Sequence, residues 1–140
     1  MIRYQIVVPG TPVAKGRPKF SNRGGFTKTY TPKKTADFEQ LVHFTAIQAG
    51  VTPIPGPLRV TIRAYWPSVK PDRKKNPRPT CRRIKRPDAD NVAKSVLDGL
   101  EGVAYSDDAA VCALHVFKWQ AAQCDEPRTE IDIESIEGEQ

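Results

Sequence analysis

The sequence predicts an α+β domain in which a single mixed β-sheet packs against two helices. Three observations lead there. Residues 2–8 and 58–66 alternate apolar and polar side chains with a period of two. Residues 32–49 and 91–100 repeat apolar side chains at helical spacing instead. The resulting order, strand, helix, strand, basic segment, helix, strand, strand, suits helices laid on one sheet. A chain of 140 residues, 39% hydrophobic, is long enough to bury one core without disulfides or structural metal, so residues 1–140 are expected to form a single domain.

In the first strand Ile2, Tyr4, Ile6 and Val8 share a face, and Pro9 ends it. Residues 9–34 carry seven bases and no acid, with Gly16, Gly24 and Gly25 among them, and read as a basic loop or loose hairpin that approaches a ligand closely. Thr31 and Pro32 read as N-cap and first helical position, followed by the stripe Phe38, Leu41, Val42, Thr45 and Ala49. Leu58, Val60, Ile62, Ala64 and Trp66 define the clearest strand. Residues 67–87 hold nine bases, one acid and five prolines, with only Val69 and Ile84 as large aliphatics. Such a segment cannot bury enough surface to pack, so a mobile, solvated basic arm is expected. In the second helix Val92, Ala93, Val96, Leu97 and Leu100 share a face, and Gly99 and Gly102 mark its end. Residues 109–119 are apolar on both faces, as in a central strand, and residues 129–136 alternate Ile131 and Ile133 with acids, as in an edge strand.

The net charge of +6 is unevenly spread. From Asp125 onward there are seven acids and one arginine, whereas residues 1–124 hold 21 bases against nine acids. So basic a body suits a polyanion such as nucleic acid, and the acidic tail would limit nonspecific adhesion. Cys81, Cys112 and Cys124 form no CxxC pair, and His43 and His115 lie far apart, which leaves few ligand sets for a closed zinc site. The odd cysteine count, with no cleavable signal and no apolar run of membrane-spanning length, points to a reducing, cytoplasmic setting and no membrane partner.

The dense carboxylates fall in residues 85–108. Pro87 disfavours helix at Arg86, so Asp88 should lie on an extended segment entering the helix, with Asp90 near the N-cap. Residues two apart on an extended segment face the same side, so Asp88 and Asp90 can converge, and Lys94 projects one turn on from Asp90. Asp108, or its neighbour Asp107, sits at the mouth of the next strand and can return to that point. Three carboxylates with water make a hard, oxygen-rich site for Mg²⁺ or Mn²⁺, suited to phosphodiester hydrolysis, and Lys94 would orient the water or neutralise charge on the phosphorane. The same residues also read structurally: Asp90 as a cap, Asp90–Lys94 and Lys94–Asp98 as surface pairs, Asp107–Asp108 as a turn. That reading leaves Asp88 without a purpose, and Asp98 is better placed as a partner of Lys94 than as a ligand.

Asp88-Ala89-Asp90-Asn91, Lys94, Leu97-Asp98-Gly99-Leu100, Gly102-Val103-Ala104-Tyr105 and Asp107-Asp108 together resemble the RusA family of Holliday junction resolvases of bacteria and their prophages. Lys15-Gly16-Arg17-Pro18 and Lys118-Trp119 add to a likeness that runs from Ile2 to Ile136. The resemblance implies a Mg²⁺-dependent, homodimeric endonuclease that nicks symmetrically across a four-way DNA junction in recombination and repair. It implies Asp88, Asp90 and Asp108 as metal-binding carboxylates, Asp107 as the alternative to Asp108, and Lys94 as the essential lysine. Ala89 replaces a bulkier aliphatic residue of the family, and Ala109-Ala110 follow the acids where a polar residue is common. The junction arms would be gripped by Lys15, Arg17, Lys19, Lys70, Arg73, Lys74, Lys75, Arg82, Arg83, Lys85 and Arg86. A branched-DNA-binding protein without catalysis, and a metal nuclease for flaps, other branched DNA or RNA, are the competing functions.

Overall fold

The computed structural model describes residues 2–17, 19–21, 23–25, 28–68, 79–122 and 125–139, without the side chains of residues 19–21, 23 and 28. The sheet has five strands: β1 (Arg3–Pro9), β4 (Leu58–Trp66), β5 (Cys81–Arg82), β6 (Val111–Gln120) and β7 (Arg128–Ser135). The short strands β2 (Lys19–Ser21) and β3 (Lys28–Tyr30) form a separate antiparallel pair, the hairpin expected in the first basic segment. Two helices, α1 (Lys33–Gln48) and α2 (Ala89–Leu100), complete the fold.

Spatial order in the sheet is β1-β7-β4-β6-β5. Among the described strands only β4 and β6 pair in parallel, so the sheet is mixed, as the sequence predicts. The parallel pair requires a crossover, and α2 lies within that crossover. Along β4 the burial alternates without a fault: Leu58, Val60, Ile62, Ala64 and Trp66 point into the core. They join Ile6, Val8, Ile131 and Ile133 from the flanking strands, Phe38 and Val42 from α1, and Val92, Val96 and Leu100 from α2. Burying a side chain of this size contributes roughly 1.5–3 kcal/mol, which makes this layer the chief source of stability.

Four sequence-based expectations are corrected. Strand β7 is interior, between β1 and β4, and not an edge. Its acids sit there because Arg59 and Arg63 of β4 pair with them across the outer face, at 3.1 Å for Arg59–Glu134 and 3.0 Å for Arg63–Glu130. Strand β6 is less enclosed than a central strand, because β5 pairs only with Trp119 and Gln120 and Leu114 stays 43% exposed. In α1 the buried stripe is Thr35, Phe38, Val42 and Ala46, with Pro32 as N-cap and Leu41 and Ala49 exposed. Gly99 does not end α2. It lies inside the helix where α1 crosses, and a Cβ there would stand 2.8 Å from Val42 Cβ and 2.9 Å from the Glu39 carbonyl oxygen.

Residues 79–87 also differ from a solvated arm. Arg83 N–H donates to the Lys118 carbonyl at 3.0 Å, the Arg83 guanidinium donates to the Arg86 carbonyl and to Gln120 Oε1, and it lies 4.8 Å from the Trp66 ring centre. A short arginine- and aromatic-based contact thus docks a segment that has almost no aliphatic side chains to bury. Lys70, Arg73, Lys74, Lys75 and Cys124 lie outside the described residues. Among the described residues, no helix is long and apolar enough to cross a membrane.

Candidate metal and nucleic-acid site

Asp88 has the extended backbone that its place after Pro87 predicts (φ −70°, ψ 149°) and is the N-cap of α2, with Asp90 in the first turn. Neither acid spends its side chain on the helix end. Asp88 makes no side-chain cap, and among the described residues neither carboxylate has a hydrogen-bond or ion-pair partner. The partial positive charge at the helix N-terminus tempers their repulsion. Lys94 is exposed on the same helix and likewise forms no ion pair among the described residues.

The lead-in to Asp88 is held from below by β6. The Lys118 ammonium donates to the Lys85 carbonyl at 2.8 Å and to the Pro87 carbonyl at 2.6 Å. Lys118 shares the core-facing register of Leu114 and Val116, so its amine reaches up beside the helix start. Two charge-assisted bonds to consecutive parts of one segment restrict where Asp88 can sit. Lys85 and Arg86 are exposed beside it, and the Arg82 guanidinium lies over Trp119 at 4.3 Å from the ring centre.

Beyond α2 the chain turns back sharply. Gly102 adopts φ +86°, a conformation that glycine takes without steric cost, and its N–H donates to the Tyr105 carbonyl at 2.7 Å. Tyr105 anchors the turn: its ring is buried and its hydroxyl donates to the Leu97 carbonyl at 2.6 Å. Burial, reinforced by the charges of Asp108, Glu101 and Asp98, pushes that hydroxyl far above its usual range, so it stays a donor. The turn brings Glu101, Asp107 and Asp108 together, each offering a carboxylate oxygen within 4.8 Å of the others. Asp107 also accepts from the Ala109 N–H at 2.9 Å and opens the short 3₁₀ turn Asp108–Ala110.

Asp108 shows the strain of this crowding. Desolvation, the hydrogen bond with Asp107 and the charges of Asp107 and Asp98 push its carboxyl above the ordinary range, while Lys94 pulls it down. A cation would relieve that repulsion, and the all-oxygen donor set fits a hard ion such as Mg²⁺. Among the described residues this is the set of three acids close enough to ligate together, and Asp88 and Asp90 are outside it. The set Asp88, Asp90, Asp108 is therefore not assembled as ligands here, although Lys94 couples the helix to Asp108. Glu101 was not anticipated from sequence. Gly102 directly after it was the available signal, because a tight turn there folds Glu101 back toward the acid pair.

Asp98 does not pair with Lys94. It accepts from Lys15 at 2.9 Å, and Lys15 also binds Glu39 of α1 at 2.8 Å, so this ammonium is taken up inside the protein. Desolvation lowers the affinity of Lys15 for its proton, but the two carboxylates outweigh it and the net shift is upward. Arg17 is exposed and unpaired among the described residues, and nothing is described of the Lys19 side chain.

Clustered acids beside bases without ion-pair partners on an α+β domain suit a metal-assisted enzyme of nucleic acid, and comparison with known proteins gives the class as nuclease. A family model described as "Endodeoxyribonuclease RusA" matches residues 9–134, nearly the whole chain. The protein belongs to the RusA endodeoxyribonuclease family, whose nucleases act on branched DNA and depend on metal. It is also similar to the uncharacterized protein YqaN of Bacillus subtilis (strain 168), with 35% identity over 139 residues covering 94% of this chain and 96% of that protein.

Proposed function

We propose that the protein is a Mg²⁺-dependent, structure-selective endonuclease that resolves four-way DNA junctions by paired, symmetric nicks. In this reading it acts as a homodimer, one catalytic centre per strand, in cytoplasmic DNA recombination and repair. The observation that carries it is the set of acids without an ion-pair partner among the described residues: Asp88 and Asp90 at the start of α2, and Glu101, Asp107 and Asp108 where the chain leaves it. Carboxylates that repel one another at close quarters are relieved when a cation binds among them.

Asp108 is assigned to the metal together with Glu101 and Asp107, which already lie beside it, and Asp88 and Asp90 would join as ligands only if the cation draws the start of α2 toward them. Bound Mg²⁺, or Mn²⁺ in its place, would polarise the phosphate and lower the pKa of the attacking water. Lys94, unpaired and electrostatically coupled to Asp108, would neutralise charge that builds on the phosphate in the transition state. Lys118 would hold the segment that presents Asp88. The exposed bases Arg17, Lys85 and Arg86 would draw in the phosphate backbone, and their contribution would weaken with salt.

The test is nicking of a synthetic four-way junction beside a flap, a linear duplex and a folded RNA, with Mg²⁺ or EDTA, by wild type and Asp90→Asn. Junction nicking that needs Mg²⁺ and disappears in the variant is expected. Equal cutting of linear duplex would contradict resolvase activity, preferential cutting of the flap or RNA would change the substrate, and tight binding without cleavage would leave a binding protein.

A further inference from the structure

Two neighbouring bases of the first basic segment, Lys15 and Arg17, differ: the fold consumes Lys15, and Arg17 has no ion-pair partner among the described residues. Residues 13–17 are anchored to both helices. Lys15 N–H donates to the Asn91 carbonyl at 2.8 Å, and Ser95 Oγ, fully buried on α2, donates to the Val13 carbonyl at 2.7 Å. Gly16 N–H donates to Thr35 Oγ1 of α1 at 3.1 Å, and that hydroxyl donates on to the Ala14 carbonyl. Thr35 is only 2% exposed, so this loop is clamped and not draped over the surface. The Lys15 ammonium completes the clamp by bridging Glu39 of α1 and Asp98 of α2.

What the clamp delivers is Arg17. An open cavity of about 240 Å³ lies between the loop and α2, lined by Lys15, Gly16, Arg17, Asn91 and Lys94. No acid lines it. Lys15 is neutralised by its two carboxylates, which leaves the guanidinium of Arg17 and the ammonium of Lys94 as the two lining cations without an ion-pair partner among the described residues, and Asn91 lines the same space as a neutral residue. A space of this size, lined by a planar guanidinium fork and an ammonium point charge, fits a tetrahedral oxyanion carrying one negative charge.

We infer that this cavity seats one backbone phosphate of the DNA strand, held by Arg17 and Lys94 together, and that Lys15 is a positioning residue that sets the loop and makes no contact with DNA. The inference rests on the nuclease reading for its ligand, and adds to it a specific seat next to the carboxylates. It also separates two neighbouring bases that composition alone treats alike.

The experiment is a titration of the full-length protein with a synthetic four-way junction in EDTA across a range of salt, for wild type, Arg17→Gln, Lys94→Gln and the double variant. Each single variant should bind about tenfold more weakly, and Arg17→Gln should flatten the slope of log affinity against log salt by about 0.9, the value for one lost phosphate contact. Because both cations hold the same phosphate, the double variant should lose no more than about a further twofold and keep the same slope. Multiplied losses with a doubled change in slope would assign the two residues to separate phosphates and overturn the shared seat. An Arg17→Gln protein that binds like wild type, or a wild type that does not bind the junction, would overturn it as well. Lys15→Met should bind like Arg17→Gln and show no added loss when the two are combined; independent losses would make Lys15 a direct contact. Binding is read without metal, so a protein that shows the seat but never cuts in Mg²⁺ would refute the nuclease and spare the inference. One that cuts while Arg17→Gln binds normally would do the reverse.

Discussion

The outer face of the sheet and the rim of α2 are both rich in charge, yet they treat it in opposite ways. On the sheet, Arg59 pairs with Glu134 and Glu139, Arg63 with Glu130 and Asp132, and Arg128 with Glu130 and Asp125, at 2.9–3.2 Å. Aromatic rings extend the pattern: Arg128 lies 3.9 Å from the Tyr65 ring centre, and Tyr65 stacks on Trp119 at 6.4 Å. The acidic C-terminal stretch is therefore not a free tail; it neutralises the arginines of β4. At the rim of α2, Asp88, Asp90, Lys94 and Arg17 have no ion-pair partner among the described residues, and Glu101, Asp107 and Asp108 crowd one another. Charge that is matched within the fold contributes to stability, and charge left unmatched at close quarters marks a candidate for ligand binding.

The difference can be broken from either side, and the unmatched side should respond most in activity. Lys94→Ala should lower junction cleavage by about 10²–10³-fold in single-turnover assays, as expected when a cation that acts on transition-state charge is removed, with little change in melting temperature. Near-wild-type cleavage would return Lys94 to the role of a solvated surface residue. Gly99→Ala should cost about 2 kcal/mol in urea unfolding, because the new methyl meets Val42 and the Glu39 backbone of α1 and the gain in helix propensity only partly offsets the overlap. Unchanged stability would mean that the two helices can part without loss. Lys118→Met should lower cleavage about tenfold and leave junction binding in EDTA unaltered, since what it loses is the placement of Asp88. An equal loss of binding would assign Lys118 to DNA.

The matched side should respond only in stability, and modestly. Glu130→Gln should cost about 1 kcal/mol near neutral pH, a charge-assisted value discounted for partial exposure. Burial raises the Glu130 carboxyl, but hydrogen bonds and charge from Arg128 and Arg63 outweigh it and hold the group below its usual 4.5. A depressed carboxyl contributes stability that is fully present above the unfolded pKa and lost as pH falls through the folded one. The difference between wild type and variant should thus be constant from pH 7 to about 5 and shrink below 4.5. A difference that persisted at pH 2 would locate the effect in packing.

The same contrast explains what was legible in the sequence. Strand β4 and the core face of α2 could be read because each depends on local periodicity. The placing of β6 and β7 could not, because alternating acids suggest an exposed edge only until their arginines, some 70 residues away, are known. Lys15 looked like a DNA contact for the same reason: Glu39 and Asp98 meet it only through the packing of α1 on α2. Asp88, Asp90 and Lys94 stand out as a spacing on one short segment, and among the described residues all three lack an ion-pair partner. Glu101 escaped because the Gly102 turn, and not its own spacing, brings it to Asp107 and Asp108.

The central claim is that the crowded acids at the end of α2 exist to hold a divalent cation, and titration calorimetry with Mn²⁺ on the metal-free protein, wild type beside Asp108→Asn, tests it most directly. Wild type should bind with an affinity that Asp108→Asn weakens at least tenfold, and Mg²⁺ should compete for the same site. Equal binding by both proteins, or none by wild type, would contradict the claim.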